Sequence, residues 1–389
     1  MSEVRVNNLS NENNTGGPTI SGITTYSGRH FFVPPQGDTV SRPEDCEPGS
    51  LRFNTDTAHL EYFRGNTIGW VQIDAEPSSD VLGGGTGSNT GLGHRAVISP
   101  GQVSPSGYVT NIDFMTISTL GNAQDFGNAG VTRDKLASGG DRSRGLFIGG
   151  EGVTDTIEFI TFASTGYVAD FGNIGHGNQM RFVAGCSDST RTIFGGGYTG
   201  PATYNIIEYV TTQSTGNGVD FGDLISDDND NNAKGTCSSS TRGIFAGGDT
   251  HNYGNRTDRI EFVTISTTGN STDFGNLTGS RAMISGCSNS TRGLIFGGFT
   301  PSVVNNIDFI TIATAGNATD FGDATVARSR NFAASSPTRA ISGGGSTPSG
   351  SIDTVDFVEI ATTGNALDFG DLIGASTGAA ACSSGHGGL

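Results

Sequence analysis

The sequence predicts an all-β fold: a six-bladed β-propeller closed by its own C-terminal strand, preceded by a small β-hairpin attachment module. Three observations predict it. The tripeptide Asp-Phe-Gly occurs six times, beginning at Asp125, Asp170, Asp220, Asp273, Asp320 and Asp368, at intervals of 45 to 53 residues. An acid stands twelve positions before each copy, at Asp113, Glu158, Glu208, Glu261, Asp308 and Asp356. Upstream again an arginine recurs, at Arg95, Arg144, Arg191, Arg242, Arg292 and Arg339. No unit shows apolar residues at helical spacing over a helical length.

Taken in chain order, the first fifteen or so residues are polar and read as extended. The segment 18–35 alternates enough for strands, and its prolines disfavour helix. The stretch 49–74 reads as strand, Asn-Thr-Asp-Thr turn, strand, Arg-Gly-Asn turn, strand. Leu51 and Phe53, then Leu60 and Tyr62, alternate as hairpin faces should, and the single tryptophan, Trp70, ends the run. A piece this small is marginal alone and calls for docking or oligomerisation. A Gly/Ser-rich linker spans 76–92. The resulting domains are 1–75, an attachment module, and 93–389, the propeller.

Each propeller unit reads as four short strands. The first is a small-residue stretch such as 281–288. The second, as in 292–298, ends in glycines. The third, as in 205–212, alternates at period two. A Thr-Gly-Asn or Ala-Gly-Asn turn leads into the fourth, as in 218–224. The first unit begins at 93–101 with a second strand and lacks a first, and the chain ends with 376–384, which matches a first strand and lacks the rest. Joined, they make a sixth blade and remove exposed sheet edges. Within the unit, Phe of Asp-Phe-Gly is expected to fill the gap between blades, Asp to bond backbone or arginine, and Gly to permit a tight exit bend. The repeated arginines would pair with one of the acidic registers.

Composition excludes several functions. A net charge of −17 with only two lysines, Lys135 and Lys234, leaves no basic stripe for nucleic acid or for an anionic membrane. No apolar run is long enough to span a bilayer, and the start lacks a signal-peptide core. Five cysteines, four in one repeated context, read as small buried side chains rather than disulfides, metal ligands or nucleophiles. Six copies of Asp-Phe-Gly without a catalytic loop or strand lysine exclude the kinase reading, and no glycine stretch carries a phosphate-loop Lys-Ser/Thr. Glycosidases need two convergent carboxylates, and no pair stands out among the repeated acids. No cofactor, metal or catalytic residue is therefore assigned. The acidic loop 226–233, with Asp227, Asp228 and Asp230, lacks the glycine and terminal glutamate of an EF-hand.

Spacing varies only in the second-to-third and fourth-to-first connections, which emerge on one face in propeller topology. That face is the expected binding side, presenting Tyr108, His176, Tyr198, Tyr204, His251, Tyr253 and Phe299 to carbohydrate or protein.

The Gly-Gly pairs closing the second strands, as at Gly247-Gly248, followed by an aromatic on the third, resemble kelch-type propellers, although the kelch tryptophan is missing from every unit. The run Gly49 to Thr57, with Leu60-Glu61-Tyr62, Gly69 and Trp70, resembles a hairpin of virion structural and fibre proteins of tailed, marine-type bacteriophages. The Thr-Gly-Asn and Asp-Phe-Gly-Asp-Leu unit ends resemble repeats of similar proteins. These resemblances imply a non-enzymatic virion protein, assembled in the host cytoplasm and homo-oligomeric, whose Arg52, Phe53, Tyr62 and Trp70 dock on other virion proteins. They also imply a propeller that meets host-surface glycan or protein. A glycan-active propeller enzyme and a kelch-type adaptor are the competing readings.

Overall fold

The computed structural model describes residues 34–43, 46–56, 59–67, 69–73, 94–99, 101–103, 107–152, 155–176, 180–199, 202–225, 231–249 and 254–389. The chain divides into two compact units, Met1–Glu76 and Pro77–Leu389. The linker expected at 76–92, the strands expected over 18–33, and Asp227, Asp228 and Asp230 fall outside the described residues, as do His251 and Tyr253.

In the first unit, strands Leu51–Asn54, His59–Phe63 and Trp70–Ile73 form the expected antiparallel meander. A fourth strand, Gln36–Gly37, pairs in parallel with Phe53 and Asn54 and was not legible as a strand. The alternation holds, but its polarity is inverted. Arg52, Asn54, Glu61 and Phe63 are buried, whereas Leu51 and Leu60 on the opposite face are exposed. The buried face is held by polar bonds: Asn54 Nδ2 and the Arg42 guanidinium both donate to the Glu61 carboxylate, and Arg52 Nη2 donates to Asp38 O at 2.8 Å. Hydrogen bonding from Arg42 holds the Glu61 carboxyl below its ordinary range against the opposing effect of burial.

The second unit is propeller-like and, among its described residues, entirely β. Its four-stranded antiparallel sheets follow the repeat. Sheet II comprises Ala137–Gly140, Arg144–Ile148, Thr156–Thr161 and Ala169–Asn173. Sheet III comprises Ala184–Ser187, Arg191–Gly195, Ile206–Thr211 and Val219–Asp223. Sheet IV comprises Gly235–Ser238, Arg242–Ala246, Arg259–Thr264 and Thr272–Asn276. Sheet V comprises Ser285–Ser288, Arg292–Phe296, Asn306–Thr311 and Thr319–Asp323. Sheet VI comprises Phe332–Ser335, Arg339–Gly343, Thr354–Glu359 and Leu367–Asp371. Sheet I takes Arg95–Ile98, Asn111–Thr116 and Gln124–Asn128 from the start of the unit, and its first strand is Ala381–Ser383, with Ala381 opposite Ile98.

The repeated residues explain how neighbouring sheets adhere. Each Phe of Asp-Phe-Gly is 2–3% exposed and meets the aromatic of its own third strand edge-on at 6.0–6.2 Å. A β-bulge recurs where the fourth strand crosses the repeated acid, as between Ile157 and Glu158. The glycine of the motif lies in that bulge rather than at an exit bend. At Gly172 φ is +148°, and a Cβ would sit 2.3 Å from Gly216 O of the next sheet, so only glycine fits. The aspartates of the motif are exposed, and among the described residues their side chains hold no hydrogen bond, contrary to the expected structural role.

The repeated arginines pair with neither repeated acid. Each lies over the aromatic of its own third strand, at 4.5–5.0 Å, and donates to carbonyls of the next sheet. Arg292 Nη1 reaches Ile360 O and Ala361 O at 3.0 and 2.9 Å, and Arg339 Nη1 reaches Ile117 O of sheet I at 3.3 Å. The acids instead take a partner from the connection that precedes their sheet: the cations Arg133 for Glu158, Lys234 for Glu261, Arg281 for Asp308 and Arg328 for Asp356, and the His176 ring for Glu208. Asp113 has no such cation among the described residues. Its half-buried carboxyl is pushed up to about 6 by burial, offset only in part by the Ile373 N–H.

The four repeat cysteines, Cys186, Cys237, Cys287 and Cys382, are small buried side chains, as expected, while Cys46 is half-buried; three of the four face a glycine on the next sheet. Cys382 faces Gly145, Cys186 faces Gly243 and Cys237 faces Gly293, each Sγ lying 2.4–2.7 Å from where a Cβ would stand. Where the cysteine register holds Gly139, the next sheet supplies Thr192. A bulky residue on one sheet thus matches a small one on its neighbour, which fixes how sheets stack.

Candidate binding face

The first strands of consecutive sheets adjoin one another, and the residue that enters each of them is the key to the face above. Lys135, Phe182, Ala233, Met283 and Arg330 all adopt φ of 56–57°, and Gly378 takes the same place in sheet I with φ +73°. They are the positive-φ non-glycine residues among those described. Each costs on the order of 1 kcal/mol in this conformation. The return is a set of inter-sheet hydrogen bonds. Phe182 N–H donates to Lys135 O, Ala233 to Phe182 O, Met283 to Ala233 O, Arg330 to Met283 O, Gly378 to Arg330 O, and Lys135 to Gly378 O, at 2.7–3.3 Å.

Around this inner crown stands a second one, made of bridged pairs: Asp134 with Glu151, Arg181 with Tyr198, Asn232 with Asp249, Ala282 with Phe299, Ser329 with Ser346, and Thr377 with Gln102. In none of these three registers does any residue type occur twice. Elsewhere in the unit, by contrast, Arg and Asp-Phe-Gly recur in all six copies and Gly-Gly in five. Repetition marks what the architecture needs, and its loss marks a surface free to serve recognition.

The chemistry of the face is aromatic, hydroxylic and charged, with Asp134, Glu151 and Asp249 beside Lys135, Arg181 and Arg330. Phe182 and Tyr198 stack at 6.2 Å, Arg181 covers Tyr198 at 4.3 Å, and Lys135 and Arg330 approach the Phe182 ring at 5.3 and 5.7 Å. Glu151 is bonded by both Lys135 and Arg181. Burial pushes Glu151 up, but these two cations outweigh it and leave the carboxyl below its usual range. Asp134, also buried, is pushed up to about 6.

Of the residues expected on the binding side, Tyr198 and Phe299 lie in the second crown. Tyr108, 42% exposed, lies on the short strand that pairs with Gln102–Val103. His176 and Tyr204 serve the interior instead: His176 Nδ1 is 2.8 Å from Glu208 Oε1, and Tyr204 packs on the cluster containing Met180 and Val183, 5.9 Å from the His176 ring. Lys135, Phe182, Arg181, Glu151 and Arg330 were missed. A signal was present, since the inner-crown residue stands nine positions before the repeated arginine in all five complete units, as in 144 − 135 = 9, and changes every time.

Beneath the crown, the first strands enclose a cavity of about 140 Å³ lined by serines and small residues. Ser238, Ser288, Ser335 and Ser383 each donate from Oγ to the carbonyl of the residue in the same register of the preceding sheet, at 2.6–2.7 Å. Sheet II has Gly140 at that register, and there His386 Nε2 of the C-terminal tail lies 2.9 Å from Gly140 O.

Of the residues expected to dock the first unit, Arg52 is buried in the polar network and Trp70 lies against Phe63 and Arg52, with Nε1 donating to Pro43 O. Phe53 and Tyr62 share the face that exposes Leu51 and Leu60.

Comparison with protein-family models and with curated proteins returned no match for this chain.

Proposed function

We propose that sheets I to VI form one six-bladed propeller closed by the C-terminal strand, and that the chain is a non-enzymatic structural protein of a bacteriophage virion. In this reading the first unit docks on the particle through its Phe53–Tyr62 face, and the propeller is displayed as a tail-fibre or decoration element that binds host-surface glycan or protein. Closure is supported by the bonds between sheets VI and I, where the Gly121 N–H donates to Phe369 O just as Gly216 donates to Phe171 O between sheets III and II. The observation that carries the binding role is the crown, whose three registers diverge in all six copies while Arg and Asp-Phe-Gly recur in every unit. Placement in a virion rests on the resemblance of the hairpin at 49–74 and of the unit ends to phage structural proteins.

The test is mass spectrometry of purified particles together with adsorption assays. The chain should be found in the particle, and purified protein should compete with particles for host cells. Consistent absence from particles would remove the reading. A second reading, a glycan-active enzyme, draws on Asp134 and Glu151, bridged neighbours whose carboxyls are displaced in opposite directions as in an acid and base pair. Turnover of a surface polysaccharide that Asp134→Asn abolishes would establish it.

A further inference from the structure

We infer that the mouth of the crown is a site for a carboxylate-bearing saccharide, seated in the notch between Lys135 and Arg330. This deepens the display reading proposed above. In the order of the crown, Gly378 stands between these two residues and adds no side chain of its own; the Asp134 carboxylate lies beside it, and both cations extend over the Phe182 ring. Lys135 is already engaged with Glu151, whereas the Arg330 guanidinium has no ion pair or hydrogen bond among the described residues. Its planar fork matches a carboxylate in two parallel bonds, which a point-charge ammonium does not.

The surroundings of the notch suit a polyhydroxylated ligand rather than a bare anion. Three crown residues carry buried polar atoms with no partner: Asp134 Oδ1, Thr377 Oγ1, and both ends of the Asn232 amide. Buried polar groups are nearly always bonded, so orphans gathered on one face point to groups that a ligand satisfies. Asp134 and Thr377 flank the notch itself, since a Cβ on Gly378 would lie 3.1 Å from Asp134 Oδ2 and Thr377 precedes Gly378 in the chain. Ser329, Ser346 and Gln102 complete a rim of hydroxyl and amide groups of the kind that read sugar hydroxyls.

The strain at Arg330 supplies a clean variant. Glycine tolerates φ of 56°, so Arg330→Gly removes the cation without stressing the backbone, and Gly378 shows that the register accepts it. The full chain is titrated with an oligogalacturonate, a sialylated oligosaccharide and a neutral oligogalactose of matched length, by calorimetry. At least one acidic sugar is expected to bind in preference to the neutral one, and Arg330→Gly to weaken it about tenfold or more while the melting temperature holds or rises. Equal binding of the neutral sugar, binding unchanged by Arg330→Gly, or no binding of either acidic sugar overturns the site. A particle that carries the chain and adsorbs through it by a neutral glycan would overturn this inference and leave the display reading standing. Absence of the chain from particles would do the reverse.

Discussion

Replacing Gly145 with alanine would place a methyl group 2.4 Å from Cys382 Sγ. That is more than 1 Å inside the ~3.5–4.0 Å of an ordinary contact. Gly145 has no positive φ, so the substitution acts through packing alone. Overpacking a tight interior costs about 1–3 kcal/mol, which in a domain of this size corresponds to a fall of roughly 2–10 °C in Tm. Cys382→Ala on its own removes one buried sulfur and costs about 1 kcal/mol. In the double variant the new methyl occupies the space the sulfur leaves. The other neighbours of that methyl, Ile160 and Phe162 at 3.0 and 3.1 Å, act in both backgrounds and cancel in the cycle. The pair should therefore be coupled by about 1–2 kcal/mol. Denaturant unfolding of the four proteins measures this, with Gly293→Ala and Cys237→Ala as a parallel cycle between sheets joined by continuous chain. Coupling at 293 and 237 with strict additivity at 145 and 382 would mean that the C-terminal strand does not pack against sheet II. The closed ring, and with it the axial crown, would then fail.

Two further outcomes are expected. Asp113→Asn should stabilise the protein at pH 7 by about 1 kcal/mol, discounted from a larger ideal value because the group is half-buried. A carboxyl raised to about 6 in the fold, from an ordinary value of 3.8, binds its proton more tightly folded than unfolded. The wild-type protein should thus gain stability as pH falls from 7 towards 4, and the variant should lose the share of that slope due to Asp113 while keeping that due to Asp134. Urea midpoints across this range check it, and equal slopes in the two proteins would refute it. Arg292→Ala should cost about 1–3 kcal/mol by losing both the ring contact with Phe309 and the bonds to Ile360 O and Ala361 O. Arg292→Lys should recover only part of this, because a point charge cannot reproduce the planar fork. Thermal melts compare the three, and ligand binding by folded Arg292→Ala should be unchanged.

Much of this architecture was legible because a repeat states its structural requirements several times over. The strands at 206–211, 219–223 and 292–296 fall inside the segments read from alternation and glycine punctuation, and the offset of twelve between acid and Asp-Phe-Gly is the length of one hairpin. The burial of the motif phenylalanines followed from the same logic. The pairing of charges did not. Arginine and acid recur in step, yet the arginines reach backbone carbonyls of the next sheet and the acids take Arg133, Lys234 or His176 from loops of uneven length. Neither choice is encoded by spacing within a unit, because the arginines' partners lie on another sheet and the acids' partners come from a connection whose length varies.

The alternation at 51–62 likewise established a hairpin without saying which face is covered. Arg42 and Asp38 come from a separate segment, and by satisfying Glu61 and Arg52 they make the polar face the interior one. By itself, the sequence determined the strands of each repeat unit and their order within it, since these depend on local period, whereas the matching of cysteine with glycine between sheets came from the structure. Only the tertiary structure decided which unrelated residues meet on the crown. Lys135, Phe182 and Arg330 lie 47 and 148 residues apart along the chain (182 − 135 and 330 − 182) and share no motif. What places both cations against one phenyl ring is the hydrogen bonding of one sheet's entry residue to the next, a relation between copies that no single copy contains.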